Sequence, residues 1–231
     1  MIRIKDLTVK YPDGHIAINK INVNISKETS VAVVGENGAG KSSLLLSLAG
    51  VLPPISGEIL IDGIPVNKNN LPSIRKLVGL IFQNPDDQLF MTSVYDDIAF
   101  GPRNMGLSEW EVDIKVKSIL EQFNISHLIK RIPGKLSGGE KRSVAIAGVL
   151  TMSPSVLLFD EPTSFLDPKA VRQLVHTLNS LPLTKLIATH DLSFARKVCN
   201  YVILMQNGSI VAEGSTNEIL DNEILLKNCG L

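Results

Sequence analysis

The 231-residue chain carries no excess of either charge: 23 Lys and Arg balance 23 Asp and Glu. A neutral chain has no general electrostatic pull on nucleic acid or anionic lipid, so nucleic acid is not an expected partner. Cysteine is scarce as well. Cys199 and Cys229 are the only two; they lack metal-ligand spacing and read as reduced thiols of a cytosolic protein. No apolar run approaches the roughly 18 residues that a membrane-spanning helix needs. The opening Met1-Ile2-Arg3-Ile4-Lys5 lacks the apolar core of a signal peptide. Internal repeats, low-complexity tracts and linkers are also missing. What remains is one large domain or two small ones, with ample length for a core and an expected place of work in the cytosol.

The most informative stretch that is present is Gly35-Glu36-Asn37-Gly38-Ala39-Gly40-Lys41-Ser42, which fits G-x-x-x-x-G-K-[ST] at every fixed position. Glycines let the backbone curl so that successive N–H groups face one anion, and a following helix adds its positive N-terminus. Lys41 can reach the β and γ phosphates of a nucleotide, and the Ser42 hydroxyl can ligate Mg²⁺. Context agrees. Val31–Val34 is a short β-branched run, as a buried parallel strand should be. Ser43–Ala49 reads as a helix, and Gly50 is placed to end it. The chain is expected to bind a nucleoside triphosphate.

From residue 1 to about 66 the texture is short strands. Ile21–Ser26 alternates apolar with polar, which puts one face on a core and the other in water. Ile59–Ile61 runs into an Asp62-Gly63 turn, and Val78–Phe82 reads as a buried strand that delivers Gln83 to its carboxyl end. Between about 84 and 150 the texture is helical. Ser108-Glu109-Trp110-Glu111 is a capping box ahead of Val112, Val116, Ile119, Leu120 and Phe123 on one face, and a second helix follows Ser137-Gly138-Gly139. Parallel-strand texture then returns at Val156–Phe159 and Leu186–Thr189, with a helix over about 168–180 between them. Asn207-Gly208 marks a type I′ hairpin. Strands alternating with helices imply a parallel sheet, whose ligands sit beyond the carboxyl ends of the strands, where Gln83, Asp160 and His190 fall.

Asp160-Glu161 after four apolar residues is a Walker B pattern. One carboxylate suits a Mg²⁺ held through water, and the next can orient or deprotonate an attacking water. Taken alone, Asp-Glu-Pro could simply end a strand, and kinases, GTPases and motors share both motifs. The discriminating stretch is Leu136-Ser137-Gly138-Gly139-Glu140, which resembles the Leu-Ser-Gly-Gly-Gln signature of the ATP-binding-cassette (ABC) family. The order Tyr11, phosphate loop, Gln83, signature, Asp160-Glu161, Asp167 and His190 is similar to that family over nearly the whole chain. Physically, Ser137 and two glycines opening a helix make a second anion site.

The resemblance implies an α/β P-loop NTPase cassette with a mostly parallel central sheet, an N-terminal antiparallel β subdomain and a helical subdomain inserted at about 84–150. All of it would form one ATP-binding domain over residues 2–231. It further implies a head-to-tail dimer, homomeric or with a paralogous ATPase subunit, in which Ser137, Gly138 and Gly139 of one subunit cover the γ-phosphate held by the other. Within one subunit, the nucleotide would contact Gly35, Glu36, Asn37, Gly38, Ala39, Gly40, Lys41, Ser42 and Ser43. Tyr11 would stack on adenine, although a strand aromatic facing a core is its plain alternative. Gln83 would contact Mg²⁺ beside Ser42 and Asp160 and sense the helical subdomain. Glu161 would act on the water, and His190 would bond the γ-phosphate. Asp167 would cross the dimer, and it also suits the N-cap of the helix that Pro168 opens. The sequence departs from the family at Glu140, which replaces Gln, and at Phe165, where a small residue is common.

Phe82–Phe90 and Asp97–Asn104, with Gly139-Glu140-Lys141-Arg142 and Val144–Leu150, resemble the energy-coupling-factor ATPases of prokaryotic micronutrient importers, the branch that includes cobalt and nickel uptake. That likeness implies ATP hydrolysis driving uptake of a metal or vitamin. The chain would sit at the cytosolic face of the membrane, bound through a transmembrane coupling protein that accompanies a substrate-binding membrane subunit. A soluble ABC ATPase without a transporter is the alternative. A translation factor of that kind would carry two cassettes, and a chromosome-organising one a long heptad coil.

Overall fold

The computed structural model describes residues 1–231. Two extended runs open it, β1 (Ile2–Lys10) and β2 (Ile16–Ile25), followed by β3 (Ser30–Val34) and helix α1 (Lys41–Leu48). The hairpin β4 (Ser56–Ile61) and β5 (Ile64–Pro65) comes next, then α2 (Leu71–Leu77) and β6 (Val78–Ile81). Three helices succeed one another, α3 (Val94–Asn104), α4 (Glu109–Gln122) and α5 (Gly138–Leu150). The chain then alternates through β7 (Val156–Asp160), α6 (Pro168–Ser180), β8 (Thr184–Ala188) and α7 (Leu192–Val198). It finishes with β9 (Tyr201–Gln206), β10 (Ser209–Ser215), α8 (Thr216–Leu220) and α9 (Glu223–Asn228). No helix is long and apolar enough to cross a membrane.

These elements form two sheets. The first has the order β2-β1-β4-β5 and is antiparallel. Its alternation is visible in β2, where Ile21, Val23 and Ile25 are buried and Asn22 and Asn24 are exposed. The second has the order β10-β9-β3-β8-β7-β6. All of its pairings are parallel except that of β9 with β10, which Asn207 and Gly208 turn at φ 49° and 75°, as a type I′ hairpin requires. Strand β3 is buried on both faces: Val31 and Val33 look into one core, Ala32 and Val34 into another. The first core lies between the sheets and takes Leu44, Leu45 and Leu48 from α1. The second lies on the opposite face and takes Leu174 and Leu178 from α6, Phe194 from α7 and Leu226 from α9.

A third apolar cluster belongs to the helical block. Val94 and Ile98 of α3 meet Val112 and Val116 of α4 there, together with Val144 and Ala147 of α5. Helix α4 begins where expected, with Ser108 and Glu111 reciprocally bonded in a capping box. Helix α5 serves two cores at once, since its Ile146 and Val149 pack into the second core. A motion of α5 is therefore felt by the helical block and the central sheet together.

Candidate functional site

Residues 35–40 leave the carboxyl end of β3 and open directly into α1. Two glycines are dictated by close approach: a Cβ on Gly35 would run into the Met205 carbonyl, and one on Gly40 (φ +102°) into the Ala17 carbonyl. Lys41 is 6% exposed. Its Nζ donates to Gly35 O at 2.6 Å and Glu36 O at 2.9 Å, and it lies 4.0 Å from Glu161 Oε1. Burial lowers its pKa, and the charges of Glu161 and Asp160 offset part of that. The ammonium is thus held inside the curl of the loop, where a phosphate oxygen can replace the two carbonyls.

Three strand ends converge on the loop. Asp160 closes β7, and its Oδ1 accepts from Ser42 Oγ at 2.9 Å. Burial raises its pKa; the Ser42 bond pulls it back, Glu161 pushes it further up, and Lys41 opposes. Glu161 is buried and sits at φ +41°, a left-handed conformation that a non-glycine residue adopts at a cost of about 1–3 kcal/mol. Its Oε2 lies 3.0 Å from His190 Nδ1, and the His190 N–H donates to the same oxygen at 3.4 Å. Gln83 follows β6, and its Nε2 donates to Ser164 Oγ at 3.3 Å. Tyr11 stands across the loop with its hydroxyl 3.0 Å from Ser43 Oγ. A cavity of about 400 Å³ is bordered by Tyr11, Asn37, Lys41, Gln83, Glu161 and His190.

The remaining predicted residues lie elsewhere. Ser137 is the N-cap of α5, and Glu140 completes a second capping box. The Glu140 carboxylate accepts from Ser137 N and from Ser137 Oγ, each at 2.8 Å. Those bonds lower the Glu140 pKa, the backbone one most. Glutamate is therefore a good N3 partner here, which accounts for its place in the motif. Gly138 packs closely: a Cβ there would come 3.0 Å from the Phe165 carbonyl, tighter than most such contacts. Phe165 itself, at φ +64°, is 78% exposed, so its bulk disturbs no core. Asp167 Oδ1 caps α6 by accepting from Ala170 N at 2.8 Å. Ser137, Gly139 and Asp167 border a separate cleft of about 970 Å³ between the helical block and α6.

The donors fit the expected metal. Ser42 Oγ and an Asp160 carboxylate oxygen are hard oxygen ligands lying side by side, the kind Mg²⁺ takes along with substrate phosphates. No group of three or more His, Cys, Asp or Glu side chains could hold a metal by itself.

Three residues in or behind this region escaped the sequence reading. His15 borders the cavity with its ring nearly parallel to that of Tyr11, centroids 6.5 Å apart. Its signal was the Pro12-Asp13-Gly14 turn: Asp13 Oδ1 accepts from His15 N, and Tyr11 N donates to His15 O, bringing the two rings onto one side. Ser164, the Gln83 acceptor, has no signal beyond its nearness to Glu161. Arg142 is buried; it was read only as part of the Gly139-Glu140-Lys141-Arg142 run, where nothing sets it apart from the adjacent Lys141.

Comparisons with known proteins agree with this geometry. The family model described as ABC transporter matches residues 18–164, more than half of the chain. An energy-coupling factor transporter ATP-binding protein, EcfA, of Methanothermobacter thermautotrophicus is 43% identical over all of this chain and 76% of its own length. Among solved structures, CbiO1 of Clostridium perfringens, described as part of the ABC transporter complex CbiONQ, superposes with a TM-score of 0.86. It is 38% identical, covering 98% of this chain and 93% of that one. The ATP-binding cassette MJ0796, solved as a dimer in a post-hydrolysis state with ADP and Pi, gives 0.83 at 27% identity, covering 94% and 99%.

Proposed function

The chain belongs to the ABC transporter family as one of its ATP-hydrolysing cassettes, and from that premise we propose that it powers an energy-coupling-factor type importer. The observation that carries this reading is the division of the anion-binding elements. Lys41 and its loop border one cavity, Ser137 and Gly139 another, so one chain holds two halves of a site that a second ATPase subunit completes. The dimeric form of the related cassette MJ0796 supports that pairing. In this reading residues 2–231 are a single cassette, with α3–α5 as its helical subdomain.

The chemistry follows from the distances. As ATP enters, Lys41 exchanges the Gly35 and Glu36 carbonyls for phosphate oxygens, and the loop N–H groups complete the cradle. Tyr11 supports the adenine. Ser42 and Asp160, with Gln83, would hold Mg²⁺, which supplies charge neutralisation at the phosphates. Glu161 positions a water and takes its proton as the water oxygen bonds to the γ-phosphorus and the bridge to the β-phosphate breaks. His190 Nδ1 lies 3.0 Å from Glu161 Oε2, and the ring would bond the γ-phosphate by donating from an Nε2–H. Ser137 and Gly139 of the partner subunit present the N-terminus of its α5 to the same phosphate.

A transmembrane partner is supported by an apolar groove of about 630 Å³ between α2, α3 and α5. Phe82, Phe90 and Phe100 are exposed there, with the last two in edge-to-face contact at 5.1 Å. An amphipathic helix of the coupling protein fits such a groove. That contact would hold the chain at the cytosolic face of the membrane beside a substrate-binding membrane subunit. The related EcfA is named as an energy-coupling factor transporter protein and CbiO1 as part of an ABC transporter complex; the cargo in this reading is a micronutrient, with cobalt, nickel and vitamins as the candidates from the family resemblance. Co-expression with candidate coupling proteins, followed by metal and vitamin analysis of the purified complex, tests the assignment. Failure of the chain to enter any membrane complex while retaining ATPase activity would favour a stand-alone ATPase.

A further inference from the structure

Arg142 is 2% exposed. Its Nη1 donates to Phe82 O and its Nη2 to Gln83 O, each at 2.6 Å, while Nε has no partner. Burial alone pushes the guanidinium down to about 10, with no carboxylate to raise it again. It stays protonated at neutral pH as a buried cation held only by main-chain dipoles. Burying such a charge is costly, and an apolar side chain of similar length would pack α5 without that cost. The two acceptors explain the arginine: they are consecutive carbonyls just beyond the end of β6, and a planar fork is the side chain that can bond both at once.

The fork lies on a mechanical line. Arg142 is one turn into the helix that Ser137 caps. Gln83, whose carbonyl it grips, reaches the nucleotide cavity, and the Phe82 side chain lies in the apolar groove. Two further contacts run parallel to it, an exposed one from Lys141 Nζ to Asp86 Oδ1 at 2.6 Å and a half-buried one from Gln88 Nε2 to Ala145 O at 3.1 Å. We propose that Arg142 is a positioning residue that locks the signature helix to the Phe82–Gln83 segment, so that Ser137 and Gln83 move as one body. Engagement of Ser137 with the partner's nucleotide then sets Gln83 in its own nucleotide site, and a membrane partner seated against Phe82 pulls on both. The inference rests on the proposed roles of Ser137 and Gln83.

The test compares Arg142→Met and Arg142→Lys in the full chain, reading ATP dissociation constant, KM, kcat and melting temperature. Arg142 does not border the nucleotide cavity, so the Met variant should bind ATP within about twofold of native while kcat falls about tenfold or more and KM changes little. Lysine, whose ammonium can reach one of the two carbonyls, should recover part of the loss. A Met variant with native kcat overturns the proposal, and so does a parallel loss of ATP affinity and kcat, which marks general damage to packing. If the Met variant does not fold, the Lys variant decides: reduced kcat at native ATP affinity supports the lock, and native kcat overturns it. Lys41→Ala and Ser137→Glu separate this from the parent reading. If both hydrolyse ATP at the native rate, the site assignment itself fails; if both are inactive while Arg142→Met is native, only the lock fails.

Discussion

Replacing Glu161 by Gln keeps the shape of the side chain and removes a negative charge 4.0 Å from Lys41 Nζ. Both side chains are less than a tenth exposed, and at that separation a buried pair interacts by about 4 kcal/mol at an effective dielectric constant near 20. The nucleotide-free variant should therefore melt lower than the native chain, because a buried ammonium loses its counter-charge. ATP supplies that charge back. Affinity should be retained or improved, and the gain in melting temperature on adding ATP should exceed the native gain. Hydrolysis should collapse, since a glutamine cannot take the proton from water. A general base contributes about 10²–10⁴-fold, which is about 3–5 kcal/mol in the barrier. Phosphate release at saturating ATP, calorimetric titration and melting curves with and without ATP read the three effects. Hydrolysis within about threefold of native would refute the assignment of Glu161 as the base.

Asp160→Asn should raise the melting temperature of the nucleotide-free chain at pH 7. Burial raises the folded pKa of Asp160 above its unfolded value, so the folded state holds the proton more tightly. Its penalty is absent below the unfolded value of about 3.9 and complete above the folded one. The gap between variant and native should thus narrow as pH falls towards 4, and a constant gap from pH 4 to 7 would count against it. Glu140→Gln should preserve the α5 capping box, with stability and hydrolysis close to native, whereas Glu140→Ala should lose about 1 kcal/mol in denaturant melts. In the apolar groove, Phe90→Asp or Phe100→Asp should impair assembly with the membrane partner more than ATPase activity in the isolated chain; co-purification yield beside phosphate release checks this. Charge reversal at Asp86, Asp87 or Arg103 on the flanking segments should act in the same direction.

Lys41, Ser42, Gln83, Asp160 and Glu161 could be singled out because their positions follow from local spacing, whereas Tyr11 was picked out only through the family resemblance and His15 not at all. A glycine loop between a β-branched run and a helix, and acidic or amide residues just past apolar runs, carry their positions with them. Strand β2 of the first sheet was legible for a similar reason, in the alternation of Ile21 to Ile25, whereas the antiparallel pairing of that sheet was expected only from the family resemblance. Short elements were not. Helix α2 buries a single residue, Ile74, so it has no apolar period to read, and α8 spans only five residues. Distant pairings were equally silent. Nothing near Arg142 in the chain announces that its partners are carbonyls about sixty residues earlier, since main-chain acceptors leave no mark on side-chain pattern. The exposure of Phe165 likewise depends on a backbone path that tertiary packing fixes, whereas the N3 cap role of Glu140 lies in the S-x-x-E spacing of Ser137 to Glu140 and could have been read there, as it was at Ser108 to Glu111.

The central claim is that the site is completed in trans, and mixing two inactive chains tests it most directly. Lys41→Ala lacks its own phosphate cradle but keeps the signature; Ser137→Glu keeps the cradle but presents a charge where the partner's γ-phosphate should sit. In a homodimer, an equimolar random mixture contains mixed pairs as half of its dimers, each with one of two sites intact, so hydrolysis should return to about a quarter of the native rate. The recovered rate per chain should also fall on dilution as dimers dissociate. Mixed dimers that form but show no activity, or a native rate per chain that is independent of protein concentration, would contradict the account.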